Sequence, residues 1–76
     1  MTRTELVLLT RARRDAASGR GRALREEAHL SLREVAVSLG VTATTLWRWE
    51  AGDRVPRGAA AVAWARLLDD LTKAAA

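Results

Sequence analysis

The segment from Ser31 to Gly52 constrains the fold of this 76-residue chain more than any other part of it. It begins with Ser31 and has Glu34 three residues later, which is the spacing of a helix capping box. Apolar residues then recur at helical intervals until Gly40, the residue type that most readily ends a helix in the left-handed conformation. Thr42 follows as a natural N-cap for a second helix. The spacing therefore predicts two short helices joined by a tight turn.

This order of elements is typical of a helix-turn-helix motif, whose second helix, the recognition helix, enters the major groove of DNA. Leu46 and Trp49 have the spacing of its inner face, and Glu50 lies in its last turn. The outward side chains are small or hydroxylated at first, with an arginine one turn later, which suits close approach to base edges. These outward residues are Ala43, Thr44, Thr45, Trp47 and Arg48. The alternative is an ordinary helical hairpin whose polar face is only solvated.

Residues 24–56 resemble the helix-turn-helix domain of the lambda-repressor/Cro type, also called the xenobiotic-response-element type. The resemblance rests on Leu-Arg near a helix end, Leu-Ser, an apolar-spaced helix, Gly-Val-Thr and the run Trp-Glu-x-Gly-x-Arg-x-Pro. It covers a little under half of the chain. We therefore expect the fold of that family, with double-stranded DNA as the partner.

The resemblance also implies a role for individual residues. It implies a structural ion pair between Arg25 and Glu50, and phosphate contacts from Thr42 and from the loop after the recognition helix. The implied base-reading residues are Ala43, Thr44, Thr45 and Arg48, and the loop residues are Arg54 and Arg57. We add Trp47 to the base-reading set, because its indole would face the groove wall and is able to pack on a sugar or bond a phosphate. The alternative is that Trp47 covers the side of the domain where the helix that holds Arg25 lies.

Two positions depart from the family pattern. Many members have Gln after the residue that matches Ser31, where it bonds a phosphate, but this chain has Leu32. We expect the neighbouring Arg33 to supply a phosphate contact there. The loop before Ser31 usually holds Gly and here holds His29, which we interpret as a helix cap that tolerates the turn, with a pH-sensing role as the alternative.

The composition favours a binding module over an enzyme. A formal charge of +4 and a pI near 11.3 suit a polyanionic partner, although twelve of the thirteen basic residues are Arg, a pattern that GC-rich coding also produces. One His, no Cys, no Tyr and no glycine-rich phosphate loop leave few nucleophiles or metal ligands. We therefore predict no catalysis, no cofactor and no metal site. Adjacent carboxylates at 26–27 and 69–70 are expected to be solvated.

Helical periodicity without alternating strands predicts an all-α fold, a compact bundle of about five helices in one domain, residues 1–76. The motif spans 31–52, an extra N-terminal helix spans about 4–17, and a C-terminal helix opened by Pro56 spans about 57–72, before a frayed tail. The first helix has one predicted inner stripe, Leu6, Leu9, Arg13 and Ala16, and the last has another, Ala60, Trp64, Leu67, Leu68 and Leu71. Further apolar side chains at 7–8 require cover from the core or from a second copy.

A break in the helix is expected at residues 18–21, because two glycines lie there. Gly21 occupies a position where a core residue would be expected, which predicts close approach by another backbone.

The favoured function is sequence-specific DNA binding by a transcriptional regulator, most simply a small Cro-like or immunity-type repressor of a phage or mobile element. We expect a homodimer, which forms either in solution or only on DNA, and no small-molecule effector. The apolar run at 6–9 is too short to cross a bilayer, so no membrane partner and a cytoplasmic location in a bacterial or phage-infected cell are expected. The alternatives are an excisionase or antitoxin-like accessory factor, and a protein-interaction adaptor that uses the N-terminal helix.

Overall fold

Five α-helices make up the computed structural model, which describes residues 1–75. They are α1 (Arg3–Ser18), α2 (Arg20–Glu27), α3 (Leu32–Leu39), α4 (Ala43–Ala51) and α5 (Gly58–Ala75). No strand occurs in the described part of the chain. The prediction of an all-α bundle of about five helices is confirmed. The predicted tail was wrong at residues 74 and 75, which continue α5, and residue 76 lies outside the described range.

The two motif helices begin and end with the caps that the sequence predicted. Ser31 Oγ accepts a hydrogen bond from the Glu34 amide at 3.0 Å, and the Glu34 carboxylate accepts one from the Ser31 amide at 2.9 Å. Gly40 has a φ of 73° and follows the last residue of α3. The next amide, that of Val41, donates back to the Ala36 carbonyl at 3.1 Å, which is the hydrogen bond typical of a helix that ends at a left-handed residue. The chain turns there within three residues and enters α4.

Positive φ values also mark the breaks on either side of the motif. Gly19, with a φ of 82°, separates α1 from α2, so the predicted break is confined to one residue. His29 has a φ of 59° and its amide donates to the Glu26 carbonyl at 3.0 Å, as expected for a residue that tolerates a helix-ending turn. Gly58 has a φ of 72°, and α5 begins only there. Pro56 therefore does not open α5; it is buried in the loop, and its carbonyl accepts a hydrogen bond from Arg13 Nε at 2.9 Å.

The core lies where α1 packs against α5 and α4, and where α3 packs against α4 and α5. At its centre Trp49 and Trp64 are buried with ring centroids 5.4 Å apart and ring planes inclined by 40°, an arrangement favourable for aromatic pairs. The prediction that both indoles are core residues is confirmed. The other buried apolar residues are Leu8, Leu9, Ala12, Ala16, Val35, Ala36, Leu39, Leu46, Ala61, Val62, Ala65 and Leu68.

The predicted inner stripes of α1 and α5 were right in part. On α1, Leu9 and Ala16 are buried as predicted, but the other two members are not. Leu6 is 52% exposed and Arg13 is exposed, whereas Leu8 and Ala12 face the core. Since the run at 6–9 is apolar at every position, helical periodicity fits more than one stripe, and only packing on α5 selects the buried one. In α5 the prediction was right for Trp64 and Leu68, while its other members, Ala60, Leu67 and Leu71, are only partly buried.

Gly21 is buried beneath the indole of Trp64. A Cβ at this position would lie 2.5 Å from Trp64 Cζ2 and 2.8 Å from Cη2, which is closer than carbon atoms approach without a clash. The predicted close approach therefore exists, but it is made by a side chain and not by a backbone.

Ion pairs hold α1 and α2 against the rest of the bundle. Arg20 donates to Asp15 at 3.0 Å and to Thr72 Oγ1 at 3.1 Å, so one guanidinium bridges α1 and α5 across the break at Gly19. Arg11 pairs with Asp69. The expectation that Asp69 is simply solvated was wrong, because α1 brings an arginine from 58 residues away to meet it.

Candidate nucleic-acid interface

One side of α4 is sealed into the bundle and the other faces solvent. Leu46 and Trp49 are buried, Thr45 is half-buried, and Ala43 and Thr44 are exposed. Further along the helix, Trp47 and Arg48 are also exposed. The outward face thus begins with small side chains and carries its bulk from the second turn onward, which leaves the first turn open to close approach by a ligand.

The hydroxyl group of Thr42 caps the N-terminus of α4. Its Oγ1 accepts a hydrogen bond from the Thr45 amide at 3.0 Å and donates to Thr45 Oγ1 at 3.0 Å. A phosphate contact from the Thr42 hydroxyl would have to replace the second of these bonds. The hydroxyl proton of Thr45 is not used in this arrangement and remains available to a ligand.

The Arg25–Glu50 ion pair connects the end of α4 to α2. Arg25 Nε and Nη2 donate to the two carboxylate oxygens of Glu50 at 2.7 and 3.0 Å, and Nη1 donates to the Leu30 carbonyl at 2.8 Å. The side chains are only 12% and 3% exposed. The hydrogen bonds to Glu50 raise the pKa of Arg25 above its ordinary value. Both side chains are therefore used within the fold, where they tie the end of α4 to α2.

Four exposed arginines surround α4: Arg33 in the first turn of α3, Arg48 on α4, and Arg54 and Arg57 in the following loop. Within residues 1–75 none of them lies within 4.0 Å of a carboxylate oxygen. The loop itself is held close to α4, since the Asp53 and Arg54 amides donate to the Arg48 carbonyl at 2.9 and 3.3 Å. The sequence-predicted phosphate residues therefore lie on the segments that flank the outward face of α4.

Trp47 lies at one edge of that face and not at its centre. It is 51% exposed and lines a concavity of about 200 Å³, which we call the Trp47 concavity. Its other lining residues are Arg22, Arg25, Leu32, Glu50 and Ala51. The sequence did not indicate Arg22 as part of this surface, whereas Leu32 occupies the position where many family members have a phosphate-bonding Gln. The one available signal for Arg22 was helical spacing. Arg22 lies three residues before Arg25 on α2 and therefore on the same face of that helix.

Within residues 1–75, no three side chains of the His, Cys, Asp and Glu types come together in a way that could hold a metal ion. Over the same range, no helix combines the length and apolar character that crossing a membrane requires.

Comparison with known families agrees with this geometry. A family model described as a helix-turn-helix domain matches residues 22–69, which is more than half of the chain. No curated protein and no solved structure gives a significant match. The matched range covers nearly all of α2, both motif helices and most of α5, and leaves α1 outside. Because helix-turn-helix domains present their second motif helix to DNA, the match indicates a DNA-binding regulator. This protein belongs to the helix-turn-helix domain family.

Proposed function

We propose that this protein is a sequence-specific DNA-binding repressor of the small Cro-like type, which the resemblance associates with phages and mobile elements. The supporting observation is the set of exposed arginines around α4, at 33, 48, 54 and 57, which have no carboxylate partner within residues 1–75. Burial or internal pairing would make such charges part of the fold, whereas exposed guanidinium groups without a carboxylate partner, on the segments that flank the recognition helix, suit a polyanion.

In the proposed complex α4 enters the major groove with its first turn leading. The small side chains of Ala43 and Thr44 allow the helix to approach the base edges, and Thr45 offers a hydroxyl proton. Arg48 lies about one turn further along and reaches a guanine, whose O6 and N7 accept two hydrogen bonds from a guanidinium. Arg48 is thus the residue expected to discriminate most strongly between bases.

Phosphate contacts come from the segments on either side of α4. Arg33 approaches the backbone from the start of α3, and Arg54 and Arg57 approach it from the loop, with Thr42 adding a contact at the start of α4. Arginine suits this role because its planar guanidinium forms paired, charge-assisted hydrogen bonds with phosphate oxygens. These contacts set the register of α4 on the duplex without reading sequence.

Repression follows from occupancy by a homodimer. Two copies place their α4 helices in successive major grooves on one face of the duplex, about 34 Å apart. A dimer bound in this way blocks a promoter that overlaps its site, and no bound small molecule is required.

The first experiment is selection of bound sequences from a random double-stranded DNA library with the full chain, repeated at two salt concentrations. We expect a two-fold symmetric site with half-sites about one helical turn apart. Three arginine contacts from each subunit predict a log-log salt slope of about −5 or steeper. Arg33→Gln and Arg57→Gln each reduce that slope, whereas Arg66→Gln, an exposed arginine on α5, leaves it unchanged. No enrichment, or a slope near zero, contradicts the proposal, and tandem direct repeats favour an excisionase-like factor.

One observation favours a second candidate, a protein-interaction adaptor. Leu6 and Val7 are 52% and 55% exposed on α1, which lies outside the family match. If α1 is the active surface, Thr44→Ala and Arg48→Ala leave binding to the partner protein unchanged, and Val7→Glu abolishes that binding. If α4 is the active surface, Thr44→Ala and Arg48→Ala each weaken DNA binding by about 1–3 kcal/mol at one base position, and Val7→Glu leaves DNA binding unchanged.

A further inference from the structure

The Trp47 concavity combines an apolar wall with two guanidinium groups. Leu32 and Trp47 form the wall, from the first residue of α3 and the exposed edge of α4. Arg22 and Arg25, one helical turn apart on α2, line the other side. A surface with both characters suits a ligand that has an apolar face and an adjoining negative charge.

Only one of these two guanidinium groups is available to a ligand. Arg25 is committed to Glu50 and to the Leu30 carbonyl through three hydrogen bonds. Arg22 meets Glu26 at 3.4 Å, and both side chains are more than half exposed. Exposed pairs of this kind contribute little to stability, so a stronger acceptor is able to draw Arg22 away from Glu26.

The position of the concavity relative to the motif indicates which ligand this is. When the recognition helix lies in the major groove, the first motif helix crosses the sugar–phosphate backbone. The concavity lies between the start of that first helix, at Leu32, and the recognition helix, at Trp47. A DNA strand that borders the groove therefore passes this surface. Its deoxyribose rings supply the apolar face and its phosphates supply the charge.

We propose that the Trp47 concavity is a contact site for one strand of the DNA backbone, in which Arg22 binds a phosphate and the indole of Trp47, supported by Leu32, packs against the adjoining deoxyribose. This inference rests on the proposed DNA binding. It assigns a phosphate contact to α2. For Trp47 it keeps the packing on a sugar that the sequence predicted and excludes a base contact.

The decisive test is the salt dependence of binding to the selected site by full-length Arg22→Gln. We expect the log-log slope to become shallower by about 0.9 for each Arg22 in the complex. Affinities for the selected site and for a scrambled duplex fall by the same factor, because a phosphate contact carries no sequence information. Arg66→Gln is the matched control, since it removes the same charge from an exposed position outside the motif. An unchanged slope for Arg22→Gln overturns the inference.

Chemical probing identifies the phosphate directly. Ethylation of individual phosphates should reveal one position per half-site that inhibits the wild-type protein and no longer inhibits Arg22→Gln. The same ethylation pattern for both proteins overturns the assignment of Arg22.

Trp47 is tested with Trp47→Ala, which should weaken binding to all duplexes by roughly fivefold to tenfold through lost apolar contact, without a change in salt slope. Replacement of single thymines by deoxyuracil, which removes only the 5-methyl group, provides the contrasting result. If one such replacement weakens the wild type but not Trp47→Ala, then Trp47 reads a base and the inference is wrong.

The two proposals fail in different ways. If the wild-type protein binds no DNA, the proposed function fails and this inference fails with it. If the wild type binds its selected site but Arg22→Gln retains the same slope and ethylation pattern, only the inference fails. Circular dichroism and thermal unfolding of each variant establish that an exposed substitution has not altered the fold.

Discussion

Four of the seven arginines of α1 and α2 are paired with carboxylates, whereas none of the four arginines of α3, α4 and the following loop is, within residues 1–75. The pairs are Arg11–Asp69, Arg20–Asp15, Arg22–Glu26 and Arg25–Glu50, and the unpaired residues are Arg33, Arg48, Arg54 and Arg57. Three of these pairs, Arg11–Asp69, Arg20–Asp15 and Arg25–Glu50, join different helices and so close the bundle, whereas the arginines of the second region remain exposed. The comparison teaches that the net charge of +4 says less about a ligand than the location of the unpaired charges does.

The largest effect on stability is expected at Arg25, the arginine with the most buried ion pair. Arg25→Ala leaves the buried Glu50 carboxylate without a partner, and we expect the free energy of unfolding to fall by about 3–5 kcal/mol. Urea denaturation measures the loss. The double variant Arg25→Met/Glu50→Leu removes both charges and should recover most of it. A loss below about 1 kcal/mol for Arg25→Ala would place this pair with ordinary surface ion pairs and weaken the contrast between the two regions.

The next largest loss of stability is expected from a packing change at Gly21 in α2. Gly21→Ala places a methyl group against Trp64, and we expect a net loss of about 1–3 kcal/mol, because overpacking outweighs the gain of roughly 1 kcal/mol in helix propensity. Thermal and urea unfolding measure it. Trp64→Phe in the Gly21→Ala background should show a smaller penalty from the added methyl group than the wild-type background does. A Gly21→Ala variant more stable than the wild type contradicts the observed packing.

Replacement of Arg48, an exposed and unpaired arginine on α4, should affect DNA binding and not stability. Arg48→Ala is expected to cost about 1–3 kcal/mol of binding at one base position, while the free energy of unfolding stays within about 0.5 kcal/mol of the wild type. Binding to single-base variants of the selected site measures the first quantity and urea denaturation the second. Arg66→Ala serves as the control for loss of an exposed arginine elsewhere. Equal losses with every base variant would show that Arg48 contacts phosphate.

The smallest effect concerns pH, and it is shared by both regions. Hydrogen bonds from the backbone and side chain of Ser31 lower the pKa of Glu34 below its ordinary value of 4.5, and Thr2 does the same for Glu5. Because the folded state favours the charged carboxylates, their contribution to stability is present above pH 4.5 and is lost as the pH falls through the lowered pKa values. Urea titrations between neutral and acidic pH should show a shallower acid-side loss for Glu34→Gln and for Glu5→Gln. An unchanged acid-side profile in both variants would contradict this origin of the pH dependence.

Local features of the motif were predictable from the sequence because each depends on residues three to five positions apart. The Ser31–Glu34 capping box, the left-handed turn at Gly40 and the Thr42 cap are all of this kind. The Arg25–Glu50 ion pair spans 25 residues and was implied by family resemblance, since no local rule connects its members.

Features that depend on how helices pack were predicted less well. The choice between Leu6 and Leu8 as the inward residue of α1 depends on where α5 lies, and an unbroken apolar run does not contain that information. The Trp47 concavity escaped prediction for a related reason. Its lining comes from α2, α3 and α4, and no periodicity within one helix brings Arg22, Leu32 and Trp47 together.

The amino-acid sequence was enough to predict the helical class, the limits of the two motif helices and, except for the half-buried Thr45, the outward residues of α4. Caps, turns and helical period are encoded over a few neighbouring residues. The tertiary structure alone decided which arginines pair with carboxylates, which indole rests on Gly21 and which face of α1 is buried. These outcomes depend on distances between segments far apart in the chain, and packing sets those distances only when the helices come together.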